Sequence, residues 1–402
     1  MHQAKRSLEP AYLGVDLTMP GKARVGSQAD RRSGKTGYLP TLDGWRAIAI
    51  LAVIFQHDTL HTIGPFSTAW LFEHGGWSGV DLFFAISGLL ICSRLLEEEK
   101  VFGRISLRNF YIRRAFRILP PALAFLCALA LLISTGVLHI GWREWLGTAF
   151  FLRNYTSLLG QIGPDSYYTG HFWSLAVEEH FYLILPAMLV LTRKRWRVPV
   201  LLALSLAVAV HRFHVLENRP WNEVLFHTDI RLDGLLMAAL FAVLAQPVEI
   251  RAKIKRWLSF WPLPLIAAMI LYTSWQGSFW QMTLVTVLLP MTVLGAVLNP
   301  NGRLALPLEW APVKYIGHIS YSLYVWQELF LSGHYNIGYP LGIFESTPLR
   351  YAATLGMAIA SYHLLERPLI RLGHKLAPPA TPGREDIPDV FPSAERPTEG
   401  TA

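Results

Sequence analysis

The chain has 402 residues, 52% hydrophobic and only 16% charged, with 14 tryptophans. A soluble domain carries about a quarter charged residues, so composition excludes an ordinary soluble enzyme and predicts an all-α, polytopic membrane helix bundle. The formal charge of +8 does not argue for a nucleic-acid partner, because the basic residues fall between apolar runs, where membrane topology accounts for them.

Residues Met1–Gly37 are polar and basic, with no apolar stretch of the kind a secretory signal needs. They read as a disordered tail. Ten spans are then predicted at about 41–60, 78–96, 118–138, 172–191, 198–213, 223–245, 258–274, 280–298, 314–334 and 349–366. With the N-terminus in the cytoplasm, 27 of the 36 Lys and Arg fall on the cytoplasmic side. Three (Arg143, Arg153, Arg219) fall on the other, and six (Arg46, Arg94, Arg212, Arg231, Lys314, Arg350) lie in or at the edges of spans. That asymmetry predicts both termini inside. Trp142–Tyr155 is short and carries Arg143, Glu144, Arg153 and Asn154, so it reads as an interfacial or re-entrant segment. The stretch 376–402 has six prolines and reads as a second disordered tail, leaving 38–375 as one membrane-embedded domain.

The first span, LDGWRAIAILAVIFQHD, carries Arg46 and His57. Eleven residues at ~1.5 Å rise separate them by about 16 Å, half the ~30 Å hydrocarbon core. Ionisable groups at such depths mark sites or pathways. In the second span, Ser87-Gly88 suits close helix packing, while Asp81 wants a partner. The segment SLRNFYIRRAFRILPP, Ser106–Pro121, reads as a cytoplasmic loop. Its Arg113, Arg114 and Arg117 suit either the phosphates of a nucleotide-bearing ligand such as coenzyme A or anionic lipid headgroups. In HFWSLAVEEHFYLILP, Glu178 lies four residues from both Ser174 and Tyr182, so the three share a face; beside a histidine, such a carboxylate orients the ring. Arg231 and Asp233, in HTDIRLDG, read as a buried pair or a substrate contact. His57, Asp58 and His61 have the spacing for two metal ligands, but without a third no metal is expected. Cys92 and Cys127 both lie in apolar runs and read as small core residues.

Taken together, DGWRAIAILAVIFQH, GVDLFFAISGLLI, LRNFYIRRAFRILPP, WSLAVEEHFYLILP, IGHISYSLYVWQ and LLERPL, in this order over about Tyr38–Leu372, resemble the acyltransferase-3 family of integral membrane O-acyltransferases. These are bacterial enzymes that acylate surface glycans, nodulation factors and macrolide sugars. The chain departs from many members in having Gln327 where they have His, so no catalytic role is assigned there. The hydrolase-like C-terminal domain common in the family is not seen in the sequence.

The resemblance implies an O-acyltransferase in the cell (inner or plasma) membrane. It would move an acyl group, most simply acetyl, from cytoplasmic acyl-CoA to a hydroxyl of a cell-surface or exported carbohydrate or glycoside. Arg113, Arg114 and Arg117 would bind the CoA phosphates, His57 would serve as general base or transient acyl carrier, and Arg46 and Glu178 would be its electrostatic or orienting partners. The lipid bilayer surrounds it, glycan-assembly proteins are candidate partners, and no nucleic acid is expected. The competing reading is a transporter or flippase of a lipid-linked glycan, although the paired broken helices and repeats of such proteins are not evident.

Overall fold

The computed structural model describes residues 40–57, 77–159, 165–219, 224–258, 279–299, 302, 305–331 and 346–379. The expected tail 1–37, the span at 258–274 apart from Leu258, Asp58, His61 and residues 380–402 lie outside them. The described secondary structure is all helical. In chain order it comprises α1 (Pro40–His57), α2 (Trp77–Phe102), α3 (Leu107–Ser134), α4 (Trp142–Ala149), a 3-10 helix (Arg153–Leu159) and α5 (Tyr167–Gly170). Then come α6 (Phe172–Leu191), α7 (Arg197–Asn218), α8 (Thr228–Arg231), α9 (Asp233–Leu244), α10 (Val248–Leu258) and α11 (Phe279–Leu298). The last are α12 (Ala305–Leu308), α13 (Ala311–His318), α14 (Ser320–Leu331), α15 (Thr347–Ser361), a π turn (Tyr362–Glu366) and α16 (Arg367–Leu376).

Four helical runs, Ser78–Phe102, Leu107–Ser134, Tyr167–Leu191 and Lys194–Asn218, are long and apolar enough to cross a membrane by length and composition. A fifth is reached if α9 and α10, bent by 118°, form one broken span. Large apolar side chains on these helices point outward, Leu191 and Val210 among them, as expected of surfaces that meet lipid. This is a multi-pass membrane protein.

Two local readings are corrected. The arginine segment is helix rather than loop: Ser106 caps α3 by accepting from the Asn109 amide at 3.4 Å, and the helix then runs unbroken through Pro120 and Pro121. Proline removes a donor without ending a helix when neighbours occupy the freed region; close by, the Tyr321 hydroxyl of α14 donates to the Ile118 carbonyl at 2.7 Å and ties the two helices together. Cys92 is buried, but Cys127 is exposed on α3 rather than in the core.

Glycine lets backbones approach where the cavity is framed. A Cβ on Gly88 would collide with the Leu235 carbonyl and Ala238, so α2 and α9 touch there. Gly317 likewise lies against the Asp43 backbone, joining α13 to α1. Gly79 meets Ala49 and Val53, which sets the start of α2 beside the second half of α1.

Buried charges pair across helices. Arg212, fully buried, reaches Asp233 at 2.8 Å, and Arg231 reaches Asp81 at 2.6 Å. The expected Arg231–Asp233 pair is therefore not formed. Residues two apart on a helix point away from each other, and each finds its partner on another helix. Arg197 grips Glu99 with both terminal nitrogens, at 2.6 and 2.9 Å. Removing one member of such a pair strands the other charge, at a cost of about 3–5 kcal/mol. Asp233→Leu is expected to lower the thermal unfolding midpoint in detergent steeply, and Arg212→Met with Asp233→Leu to recover most of that loss.

Candidate active site

A cavity lies between α1, α2, α3, α6 and α14. Arg46 (α1), Arg114 and Arg117 (α3), Glu178, Glu179 and Tyr182 (α6), and Ser320 and Tyr321 (α14) line it together with Ser87. Val80, Phe83, Phe84 and Leu175 give it apolar walls. Since Gly79 is packed on Val53, the Val80 end lies toward the α1 turn that carries His57.

Several polar groups on the wall are held. Glu178 accepts from the Ser87 hydroxyl at 2.9 Å and from the Tyr182 hydroxyl at 3.0 Å. Arg114 lies over the Tyr182 ring, 5.2 Å from its centroid. Arg46 contacts Asp43 at 3.5 Å, and Asp43 contacts His318 at 3.1 Å. Glu366, from LLERPL, accepts from Ser322 at 2.8 Å and acts electrostatically on Arg117 and Arg46. At the inner end Tyr324 donates to the His171 carbonyl at 2.9 Å, and its oxygen lies 2.5 Å from the Ser174 hydroxyl.

One turn beyond Tyr324 on α14 comes Glu328, whose Oε1 is 3.0 Å from His57 Nε2. His57 Nδ1 is 2.8 Å from the Val53 carbonyl. A carbonyl only accepts, so Nδ1 carries the hydrogen. Contact between Nε2 and the carboxylate then requires a proton between them. The pair is one proton-holding unit, titrating together rather than as two independent groups. Gln327 Nε2 approaches His57 Nδ1 at 3.5 Å, and its side chain is fully buried.

The structure thus brings Arg46, Arg114, Arg117 and Glu178 to one cavity and sets His57 a turn beyond its inner end. It does not bring Arg113 there. That guanidinium holds Glu98 at 2.9 Å and donates to the Ala377 and Pro378 carbonyls, so the first residues of the expected C-terminal tail are anchored against α3. Nor is Glu178 the carboxylate beside His57; Glu328 is. Glu328 could have been flagged in the sequence as a lone carboxylate in the apolar run YVWQELFL.

A family model described as an acyltransferase domain matches residues 39–365. A Staphylococcus aureus (strain COL) protein named "Putative O-acetyltransferase" is 30% identical over 374 residues, covering 85% of this chain and 59% of its own length. O-acetyltransferase OatA of Staphylococcus aureus (strain NCTC 8325) is 28% identical over 371 residues, covering 84% of this chain and 58% of its own. The chain therefore spans less than two thirds of the length of the curated relatives it matches. No solved structure matches it. With the family model covering most of the chain and its motif residues gathered around one cavity, this protein belongs to the acyltransferase-3 family.

Proposed function

We propose that the protein is an O-acyltransferase that moves an acyl group, most simply acetyl, from cytoplasmic acyl-CoA to a hydroxyl of a cell-surface or exported carbohydrate. The observation that carries this reading is the cavity's polarity. Arg46, Arg114 and Arg117 line it with apolar walls alongside, and the His57–Glu328 pair stands a turn beyond Tyr324. Arginine forks suit the phosphates of a CoA donor, and the apolar walls suit its pantetheine and acyl portions. The topology that goes with this reading has ten spans in one membrane domain and both termini in the cytoplasm. The arginines then face the cytoplasm and His57 the opposite side.

In the reaction, the acceptor oxygen attacks the thioester carbonyl. The new C–O bond forms as the C–S bond breaks. The His57–Glu328 pair takes up the hydroxyl proton as it gives the proton it already shares to the departing thiolate, so the pair ends as it began. Arg46 and Glu178 act on the donor, at the cavity wall, rather than on the histidine ring. No metal is called for, because positioned acid–base groups suffice for acyl transfer.

Three outcomes follow. His57→Ala and Glu328→Gln are expected to lower transfer of radiolabelled acetyl from acetyl-CoA by roughly 100-fold or more in protein that still inserts, with a lowered melting midpoint for His57→Ala, which strands the Glu328 carboxylate, and a smaller change for Glu328→Gln, which keeps an acceptor beside the ring; full activity in either would remove the pair from the reaction. Arg114→Ala and Arg117→Ala should each raise the KM for acetyl-CoA about tenfold, and an unchanged donor dependence would move the donor site elsewhere. Arg113→Ala, by contrast, should leave that KM alone and cost about 1–3 kcal/mol of stability through the stranded Glu98, read as a lower melting midpoint. Covalent label on the glycan distinguishes transfer from transport of an unmodified glycan.

A further inference from the structure

Phe84 and Trp173 meet edge-to-face at 6.1 Å, and Phe84 forms part of the cavity wall. Arg231 lies over both rings, 6.0 and 5.4 Å from their centroids, and Phe226 packs on Trp173 at 5.0 Å. These contacts lead from the cavity wall to a second polar cluster, built by the 3-10 helix, α6, α7 and the segment around α8, whose groups the transfer chemistry has not used.

Its floor is a fixed relay. Asn154 Nδ2 donates to the Thr228 hydroxyl at 2.7 Å, and that hydroxyl donates to His180 Nδ1 at 2.7 Å. The imidazole is held in turn by the Phe151 backbone, where Phe151 adopts a left-handed φ of 54°, a conformation costly for a bulky residue and concentrated at functional sites. The relay fixes the Asn154 amide, leaving its Oδ1 buried without a hydrogen-bond partner. His227 is 6% exposed and its Nε2 is also without a partner, while its ring packs on Tyr155 at 4.8 Å. The rim is open: Asp229 accepts from the Tyr155 hydroxyl at 2.9 Å and contacts His211 at 2.8 Å, and both Asp229 and His211 are about half exposed.

Each buried polar atom left unpaired costs about 1–3 kcal/mol, and two in one cluster call for a ligand that satisfies them. Asn154 Oδ1 takes only a hydrogen-bond donor. The exposed Asp229 repels anions, and two nearby guanidinium groups are engaged, Arg231 with Asp81 and Arg153 with Thr156, Thr169 and the Ser166 carbonyl. The complementary ligand is therefore uncharged and rich in hydroxyls, with an apolar face for Tyr155. We propose that this cluster docks the carbohydrate acceptor, across the Phe84–Trp173 wall from the donor cavity. The proposal rests on the functional reading above and adds where the acceptor is held.

The test uses the full chain, expressed in cells lacking their own copy and also purified in detergent. Envelope O-acetyl ester is released by mild alkali and counted, and acetyl-CoA affinity and melting midpoint are measured on the same variants. Asn154→Leu and His227→Phe are expected to lower ester content by roughly tenfold or more with acetyl-CoA affinity unchanged. His227→Gln, which keeps a polar atom in place, should recover much of the loss. Ester content unchanged in both apolar variants overturns the proposal, as does a loss that tracks weakened acetyl-CoA binding or melting. If the wild type binds acetyl-CoA and forms no carbohydrate ester, the functional reading itself falls and takes this inference with it.

Discussion

Inside an apolar bundle a carboxylate and an imidazole stay in place only together, and the contact of Glu328 with His57 ties α14 to the end of α1. The other end of α1 is pinned separately, by Gly317 of α13 against the Asp43 backbone and by His318 against the Asp43 carboxylate. With both ends fixed to consecutive helices, the middle of α1 is held at a set distance from α14. Arg46 then contributes to the cavity wall between them. The cavity is thus a consequence of two polar attachments about 14 residues apart on one helix, with α2, α3 and α6 supplying its remaining walls.

The molecule uses charge in two ways. Arg212–Asp233, Arg231–Asp81 and Arg197–Glu99 are close pairs, each joining one helix to another, and their geometry spends the charge on holding the bundle. Arg46, Arg114 and Arg117 instead share one open volume with Glu178 and Glu179. Charges that border open space keep a field that a ligand can meet. This distinction separates Arg113 from its neighbour Arg114. One step along a helix turns a side chain by about 100°, enough to direct the first at Glu98 and the second at Tyr182.

Much of this was legible in the sequence, and what was missed had identifiable reasons. Apolar runs pointed to a helical membrane bundle, and i,i+4 spacing put Glu178 and Tyr182 on one face, where they bond. The eleven-residue interval flagged Arg46 and His57 without any contact to guide it. Ser106–Pro121 read as a loop on its basic character; Ser106 instead caps a helix that carries both prolines within it. Long-range partners could not be read: nothing local connects Glu328 with a histidine 271 positions earlier. The Arg231–Asp233 pairing, however, could have been refused on helical geometry alone.

His57 and Glu328 differ sharply in exposure: 32% of the imidazole side chain is accessible, against 3% of the carboxylate. Glu328 is therefore walled off, and the ring stands between it and solvent. Whatever comes to the pair therefore meets the imidazole first, at an angle that the Val53 carbonyl fixes.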